Sequence, residues 1–280
     1  MSSLLSVPNV SEGRDAAVLD AIAAGFGGAR LLHRSADGDH NRAVFTLAGE
    51  PGRLAEAVAA GAAAAVARID IGRHDGEHPR IGAIDVAPIV HLDAADRGAA
   101  CAEALIPAEL LGDLGLPVLL YGELAGGRTR AELRRGGPRE LARRLAAGEL
   151  TADAGPPRAH PTGGAVLVAA RPPLAAFNVT VDATLEQARA IAARIREGGA
   201  EGLPGVRALG LQLSGAVQIS TNVEDLGRAT PADVVAAVAR HAPVVAAELV
   251  APAPRAAYAR LPADLPLDAP PCIEDLLAGA

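Results

Sequence analysis

Between Ile69 and Asp85 the chain reads IDIGRHDGEHPRIGAID, and no other stretch gathers as many reactive side-chain types. His74 and His78 stand one helical turn apart in number, with Glu77 beside the second, Arg73 and Arg80 around them, and Gly72, Gly76, Gly82 and Pro79 interspersed. Three chemistries compete for this pattern. His74 to His78 matches H-x-x-E-H, the inverted zinc-peptidase signature. That motif needs a helix to bring both imidazoles to one side. Here Gly76 lies between them, and Pro79 pushes His78 out of the α region. The spacing therefore does not deliver the open coordination geometry of a catalytic zinc, and no metal site is assigned. In the second reading both histidines hydrogen-bond within a polar loop, a role better suited to His74 than to His78. The third is general acid–base work by His78. An unperturbed imidazole titrates near about 6.5, matched to proton transfer at neutral pH. Arg80 nearby offers a bidentate edge to a substrate carboxylate.

The elements around this loop must hold it. Upstream, Leu4 to Val7 reads as a short strand ended by Pro8. Asn9 to Arg14 (NVSEGR) then reads as a loop into a helix capped by Ser11 or Asp15, and the same loop offers Glu12 and exposed amides to a ligand. Arg30 to Arg34 and Arg42 to Ala48 read as the strands of a hairpin, with Ser35 to His40 as the turn. Residues 51–68 form an alanine-rich helix, and residues 84–92 a strand with His91 as a structural histidine near its end. Residues 94–113 form a further helix that Pro107 kinks or divides. Val118 to Tyr121 is a buried strand that presents Glu123 at its end.

Arg128, Arg130, Arg134, Arg135, Arg139, Arg143 and Arg144 alternate with Glu132, Glu140 and Glu149, the pattern of a solvated helix face. Residues 151–164 are turn-like, and Ala165 to Ala170 is a strand. From Leu174 the order becomes β-α-β-β-α-β, with Thr184 and Thr230 as helix caps and Pro231 at a first helical position. This is the split βαβ, or ferredoxin-like, arrangement. The fold class is therefore α/β (α+β): two subdomains, 1–172 and 173–280, each a β-sheet with helices packed on it. Residues 251–280 form an appendage to the second.

Bulk properties set limits. The chain has 280 residues, half of them hydrophobic but only 2% aromatic, so its cores are built from Ala, Val, Leu and Ile. All 26 basic residues are Arg, which a GC-rich coding bias explains, and the net charge of −7 disfavours non-specific nucleic-acid binding. Cys101 and Cys272 follow no metal or redox spacing, which fits a reducing compartment. The first residues show no signal-peptide pattern, and the alanine-rich stretch at 55–67 is too short for a membrane span. A cytoplasmic protein without a membrane partner is the expectation.

Several runs together resemble the glutamate formiminotransferase family. They are VPNVSEGR (Val7–Arg14), the Asn41-Arg42 pair before a strand, IDIGRHDGEHPRIGAID, PVLLYGE (Pro117–Glu123), DAGP (Asp153–Pro156), PTGGA (Pro161–Ala165) with Arg171 after it, AFN (Ala176–Asn178) and STN (Ser220–Asn222). The resemblance runs from the N-terminus to about Val250. It implies transfer of a formimino group from N-formimino-L-glutamate to tetrahydrofolate as co-substrate, giving 5-formiminotetrahydrofolate and L-glutamate in histidine degradation. It also implies ligands held in a cleft between two α/β subdomains, a homodimer, and no cyclodeaminase domain in this chain. By the same resemblance His78 is the acid–base catalyst, and the folate segment falls on about Ala159 to Val168, including Pro161, Thr162, Gly163 and Gly164.

Arg42, Arg80 and Arg171 are candidates for holding carboxylates, Glu12 and Glu123 for meeting the formamidinium charge, and Asn41 and His74 for lining the substrate site. Two positions depart from the family pattern. Ser35 stands where a catalytic Asp is common, with Asp37 and Asp39 close by, and Gly163 stands where better-known members have an aromatic. These departures keep open a paralogue with another amidine or formyl donor, and a non-catalytic folate-binding protein.

Overall fold

Pro8 has no N–H to give a ladder, and it splits the first extended run into β1 (Leu4–Ser6) and β2 (Asn9–Val10). The computed structural model describes residues 4–279. In order there follow α1 (Ala16–Gly25), β3 (Arg30–Asp37), β4 (Arg42–Gly49), α2 (Arg53–Val66), β5 (Ile84–Val90), α3 (Arg97–Asp113), β6 (Val118–Leu120), α4 (Arg130–Arg134), α5 (Gly137–Ala146) and β7 (Val166–Arg171). β1 and β2 both lie between β4 and β5, so they act as one interrupted strand. The sheet then runs β3, β4, β1/β2, β5, β7, β6, antiparallel up to β5 and parallel from β5 to β6.

Alternation along the strands loads both faces. Val166, Val168 and Ala170 join Phe26, Phe45, Leu54 and Leu111 in the larger core, while Leu167 and Ala169 turn to Leu133, Leu141 and Leu145 of α4 and α5. α3 stays one continuous helix through Pro107 rather than dividing. One missing backbone hydrogen bond is outweighed by the buried face of Ala100, Ala104, Ala108 and Leu111.

α2 starts without a side-chain cap of its own, since its N-cap is Gly52. Glu103 of α3, 2% exposed, supplies one from a distance. Its carboxylate accepts from Gly52 N at 2.9 and 2.7 Å and from Ala55 N at 2.9 Å. Negative charge at a helix N-terminus is favourable, and the buried N–H groups have no other acceptor here. Glu103→Ala is therefore expected to destabilise the chain by about 1–3 kcal/mol, the range for leaving buried donors unsatisfied, measured by urea unfolding.

The remaining elements are β8 (Ala175–Val181), α6 (Leu185–Ile195), β9 (Val206–Gln212), β10 (Val217–Val223), α7 (Pro231–Ala239), β11 (Val244–Leu249), β12 (Leu267–Asp268) and α8 (Ile273–Ala278). The chain divides into two compact units between Pro172 and Pro173. In the second, the sheet order is β12, β11, β8, β10, β9, so its four main strands stand in the split βαβ order. Thr184 with Gln187 and Thr230 with Asp233 form reciprocal capping boxes at α6 and α7.

The first unit contains the same order: β1/β2, β3, β4 and β5 occupy the places of β8, β9, β10 and β11. In both units a further strand adds in parallel beside the fourth, β7 on β5 and β12 on β11. Among the described residues no helix is long and apolar enough to cross a membrane.

Candidate active site

The segment between α2 and β5 is irregular throughout, as Gly76 and Pro79 require. Backbone bonds hold both of its ends to the turn before β7: Ile71 N donates to Thr162 O at 2.8 Å and Ala83 N to Gly163 O at 2.9 Å, while Ala165 N donates to Ile81 O at 3.1 Å. A Cβ on Gly82 would lie 1.9 Å from the Ala165 carbonyl oxygen, so only glycine permits this approach. Ser11 adds a third attachment, its hydroxyl donating to Gly82 O at 2.8 Å.

The middle of the loop rests on the β3–β4 turn. Asn41 has φ +46° and ties two other segments to its own turn through three hydrogen bonds. Its Oδ1 accepts from Gly13 N at 2.9 Å, its Nδ2 donates to Asp75 O at 2.8 Å, and its carbonyl accepts from His74 Nε2 at 2.9 Å. Gly76 lies against this turn, where a Cβ would stand 2.4 Å from His40 O.

At the centre is Asp85, fully buried at the start of β5. Its Oδ1 accepts from Ile81 N at 2.9 Å and from Arg134 Nε at 3.3 Å. Its Oδ2 accepts from Arg42 Nη1 at 2.8 Å and from Arg134 Nη2. The two guanidiniums outweigh desolvation and hold its carboxyl down at about 2. Arg42 also donates from Nε to Asn9 Oδ1 at 3.0 Å, and burial lowers its own value to about 10.

His78 is half-buried, and its Nδ1 lies 2.8 Å from Pro79 O. A carbonyl only accepts, so Nδ1 carries the proton and Nε2 holds the lone pair in the neutral ring. Desolvation, then the Arg42 and Arg134 cations, push its pKa well below the ordinary histidine value, against the opposing pull of Asp85 and the Pro79 carbonyl. The ring of His40 meets it edge-on with centroids 6.0 Å apart. A neutral imidazole with a fixed tautomer keeps a lone pair to take a proton, and the surplus positive charge beside it favours giving the proton back.

The other candidates divide. Glu12 closes its own loop, Oε1 accepting from Arg14 N at 2.7 Å and Asp15 N at 2.9 Å, and its charge reaches His74. His74 is held neutral by burial first and by Arg80 second. Arg80 staples the loop: Nη1 donates to Gly76 O at 2.7 Å and Nη2 to His74 O at 2.7 Å. Its carboxylate-binding edge is therefore spent on backbone carbonyls.

The Pro161–Gly164 turn is bound to the loop as described and is shaped from within by His160, whose Nδ1 accepts from Gly163 N at 2.8 Å. A Cβ at Gly163 would come within 2.9 Å of Leu116 and 3.0 Å of His160, so no larger side chain fits as the turn stands. Glu123 and Arg171 follow or end β6 and β7, at the opposite end of the parallel strands from the His78 loop. Six residues of strand separate Arg171 from that loop, roughly 20 Å. Glu123 pairs there with Arg97 at 2.6 Å. The structure does not gather these two with His78.

Two expectations need correction. β3 continues through Ser35 and Asp37, which pair with Val44 and Arg42, so the turn begins only at Gly38. Cross-strand pairing overrides the turn-forming residue types there. The arginine-rich stretch is not uniformly solvated. Arg143 does bridge Glu140 and Glu149 at the surface, but Arg144 is buried and donates to the Glu132 and Leu133 carbonyls, while Arg134 reaches Asp85. Arg134 and Asp85 are the site residues that sequence reasoning missed. The only available signal for Arg134 was its position next to Leu133 on a helix with an inward face. In the second unit, the AFN and STN runs lie on paired strands with Asn178 opposite Ser220, and Asn178 Nδ2 donates to Glu248 Oε2 at 3.2 Å. Among the described residues no group of His, Cys, Asp and Glu side chains is arranged to hold a metal ion.

Comparison with known proteins adds independent findings. The family profile described as the formiminotransferase domain, N-terminal subdomain, matches residues 3–171. The formimidoyltransferase-cyclodeaminase of Sus scrofa is 39% identical over 241 residues, covering 80% of this chain and 44% of that protein. The glutamate formimidoyltransferase of Streptococcus pyogenes serotype M1 is 35% identical over 227 residues, covering 78% of this chain and 76% of that one. That of Thermoplasma acidophilum is 34% identical over 244 residues, covering 82% and 79%. The chain thus spans at most about half the length of the fused relatives it matches and about three quarters of the shorter ones.

Proposed function

Since the chain belongs to the formiminotransferase family, we propose that it transfers the formimino group of N-formimino-L-glutamate to tetrahydrofolate, with His78 as acid–base catalyst. The acceptor's N5 bonds to the formimino carbon to give a tetrahedral intermediate. His78 Nε2 removes the N5 proton. It then delivers that proton to the glutamate nitrogen as the carbon–nitrogen bond breaks. One imidazole serves both steps, and the remaining acceleration comes largely from orienting two bound reactants. The observation that carries this reading is the tautomer of His78, fixed by the Pro79 carbonyl with Nε2 left as the base. The Pro161–Gly164 turn, tied to the same loop, is the place assigned to the folate. A cytoplasmic homodimer completes the reading and is carried by the family resemblance; sedimentation of the purified protein tests the dimer.

The deciding assay mixes purified protein with formiminoglutamate and tetrahydrofolate, then follows the absorbance of the methenyl product after acidification. Turnover supports the proposal. Binding of folinic acid without turnover with this or another amidine donor establishes the non-catalytic alternative instead.

The pH dependence has a definite sign. Because the His78 value is lowered, the base stays deprotonated until pH falls through that lowered value. The rate constant kcat/KM is expected to stay level as pH drops through about 6.5, where an ordinary histidine loses its lone pair, and to decline only below it. Stability moves in the same direction. The unfolded histidine takes up its proton first, so the folded state loses stability as pH falls from about 6.5 towards the folded value. A pH–rate profile with an acid limb at or above the ordinary histidine value would contradict the assignment.

A further inference from the structure

We propose that Arg42 and Arg134, cross-braced by Asp85, form the seat for a carboxylate of the amino-acid-derived substrate beside His78, and that Arg134 is a substrate-binding residue. This rests on the reading of His78 as the reacting centre. Two guanidiniums share one buried carboxylate, which leaves one positive charge in excess. Their side chains are only 10% and 11% exposed, so the surplus is poorly served by bulk water and favours an anion.

The hydrogen-bond inventory shows where an anion would sit. Arg134 spends Nε and Nη2 on Asp85, and Arg42 spends Nε on Asn9 and Nη1 on Asp85. Among the described residues Arg134 Nη1 and Arg42 Nη2 take no protein acceptor, and neither is a sealed-in atom. Arg134 is held along its Nε–Nη2 edge by Asp85, Arg42 is held from Nε and Nη1 by two partners, and each keeps one terminal nitrogen with donors to give. Such pre-oriented forks recognise carboxylates through paired charge-assisted bonds.

The nearby alternatives are already engaged. Arg80 gives both terminal nitrogens to the carbonyls of its own loop, and its remaining Nε is sealed in; Arg14 is engaged by Gly38 O and Asp75. Asp85, which both guanidiniums hold, also accepts from Ile81 N, three residues after His78, which ties the seat to the loop that carries the reacting centre. The ligand class is a small carboxylate carrying its reactive group a few bonds away, as a formimino-amino acid does.

The test uses N-formyl-L-glutamate, an uncharged-amide analogue of the donor, titrated calorimetrically into the full chain. Arg134→Gln is expected to weaken its binding about 10–100-fold, the usual worth of hydrogen bonds to a charged group. Arg134→Lys, which keeps the charge without the fork, is expected to recover only part of the loss. In turnover assays Arg134→Gln should raise KM for formiminoglutamate by a similar factor while KM for monoglutamyl tetrahydrofolate changes little. Near-UV circular dichroism checks folding. If Arg134→Gln does not fold, Arg134→Lys decides alone, and wild-type affinity in it overturns the seat. Failure of the wild-type protein to bind N-formyl-L-glutamate overturns it too. Wild-type transfer with unchanged affinity and KM in Arg134→Gln removes the seat and leaves the transferase reading intact. Arg134-dependent binding in a wild-type protein that transfers nothing keeps the seat and removes that reading.

Discussion

His78→Ala is expected to lower kcat for formimino transfer by about 10²–10⁴-fold while the first unit keeps its fold, the usual effect of removing a general acid–base. The fold survives because the His78 side chain makes one local hydrogen bond, to the carbonyl of the next residue, and lies outside the hydrophobic cores. The loop itself is held by Arg80, Asn41 and the Thr162–Gly163 backbone, none of which depends on the imidazole. Steady-state kinetics with formiminoglutamate and tetrahydrofolate, beside a circular dichroism spectrum, measures both halves of the expectation. Added imidazole should restore part of the rate, because a small base can occupy the space left by the ring. Near-normal turnover in the variant would remove His78 from the mechanism.

Asp85→Ala is expected to have the largest effect on stability, about 3–5 kcal/mol, the range for removing one partner of a buried ion pair. The substitution strands Arg42 and Arg134 as like charges and leaves Ile81 N without its acceptor. Asp85→Asn keeps an acceptor for Ile81 N but not the charge, so it should fall between the wild type and the alanine variant. The pH behaviour follows from the depressed carboxyl. Its folded value of about 2 lies below the ordinary aspartate value of 3.8, so the pair's contribution is complete above about pH 4 and is lost as pH falls through 2. Urea unfolding at pH 7 and pH 3 should therefore show the variant deficit shrinking at the lower pH. Equal deficits at both would mean that packing, not charge, is what Asp85 contributes.

How much of this was legible in the sequence depends on whether the cause is local. Thr184, Thr230 and Pro231 act within one helical turn, and their helices begin where those residues place them. Gly76 and Pro79 likewise act on their own backbone, so the irregular loop follows directly from them. The runs that resemble formiminotransferases identified the family that the profile and the relatives then showed.

Interactions across long separations were not legible. Arg134 and Arg143 have the same residue type and similar neighbours, yet one is buried on a carboxylate 49 positions upstream and the other bridges surface glutamates. Arg80 looks like a clamp by type and is a staple by geometry. The order shared by the two units also escapes the sequence. Pro8 cuts the first strand in two, and β6 lengthens one sheet beyond the added strand that both share.

The partners of the His78 loop come late in the chain. Thr162, Gly163 and Arg134 all follow it, while Ser11, Arg14, Asp39 and Asn41 precede it. A nascent chain that has left the ribosome only as far as α3 therefore carries His74, His78 and Arg80 without the turn or the guanidinium that set their environment. At that stage Asp85 has Arg42 but not Arg134 to pair with, and the Pro161–Gly164 turn is not yet there to hold the loop. The full set of contacts around the His78 loop is complete only when synthesis has passed Gly164 and β7 has joined β5. The environment proposed for proton transfer is thus assembled late in the translation of the first unit.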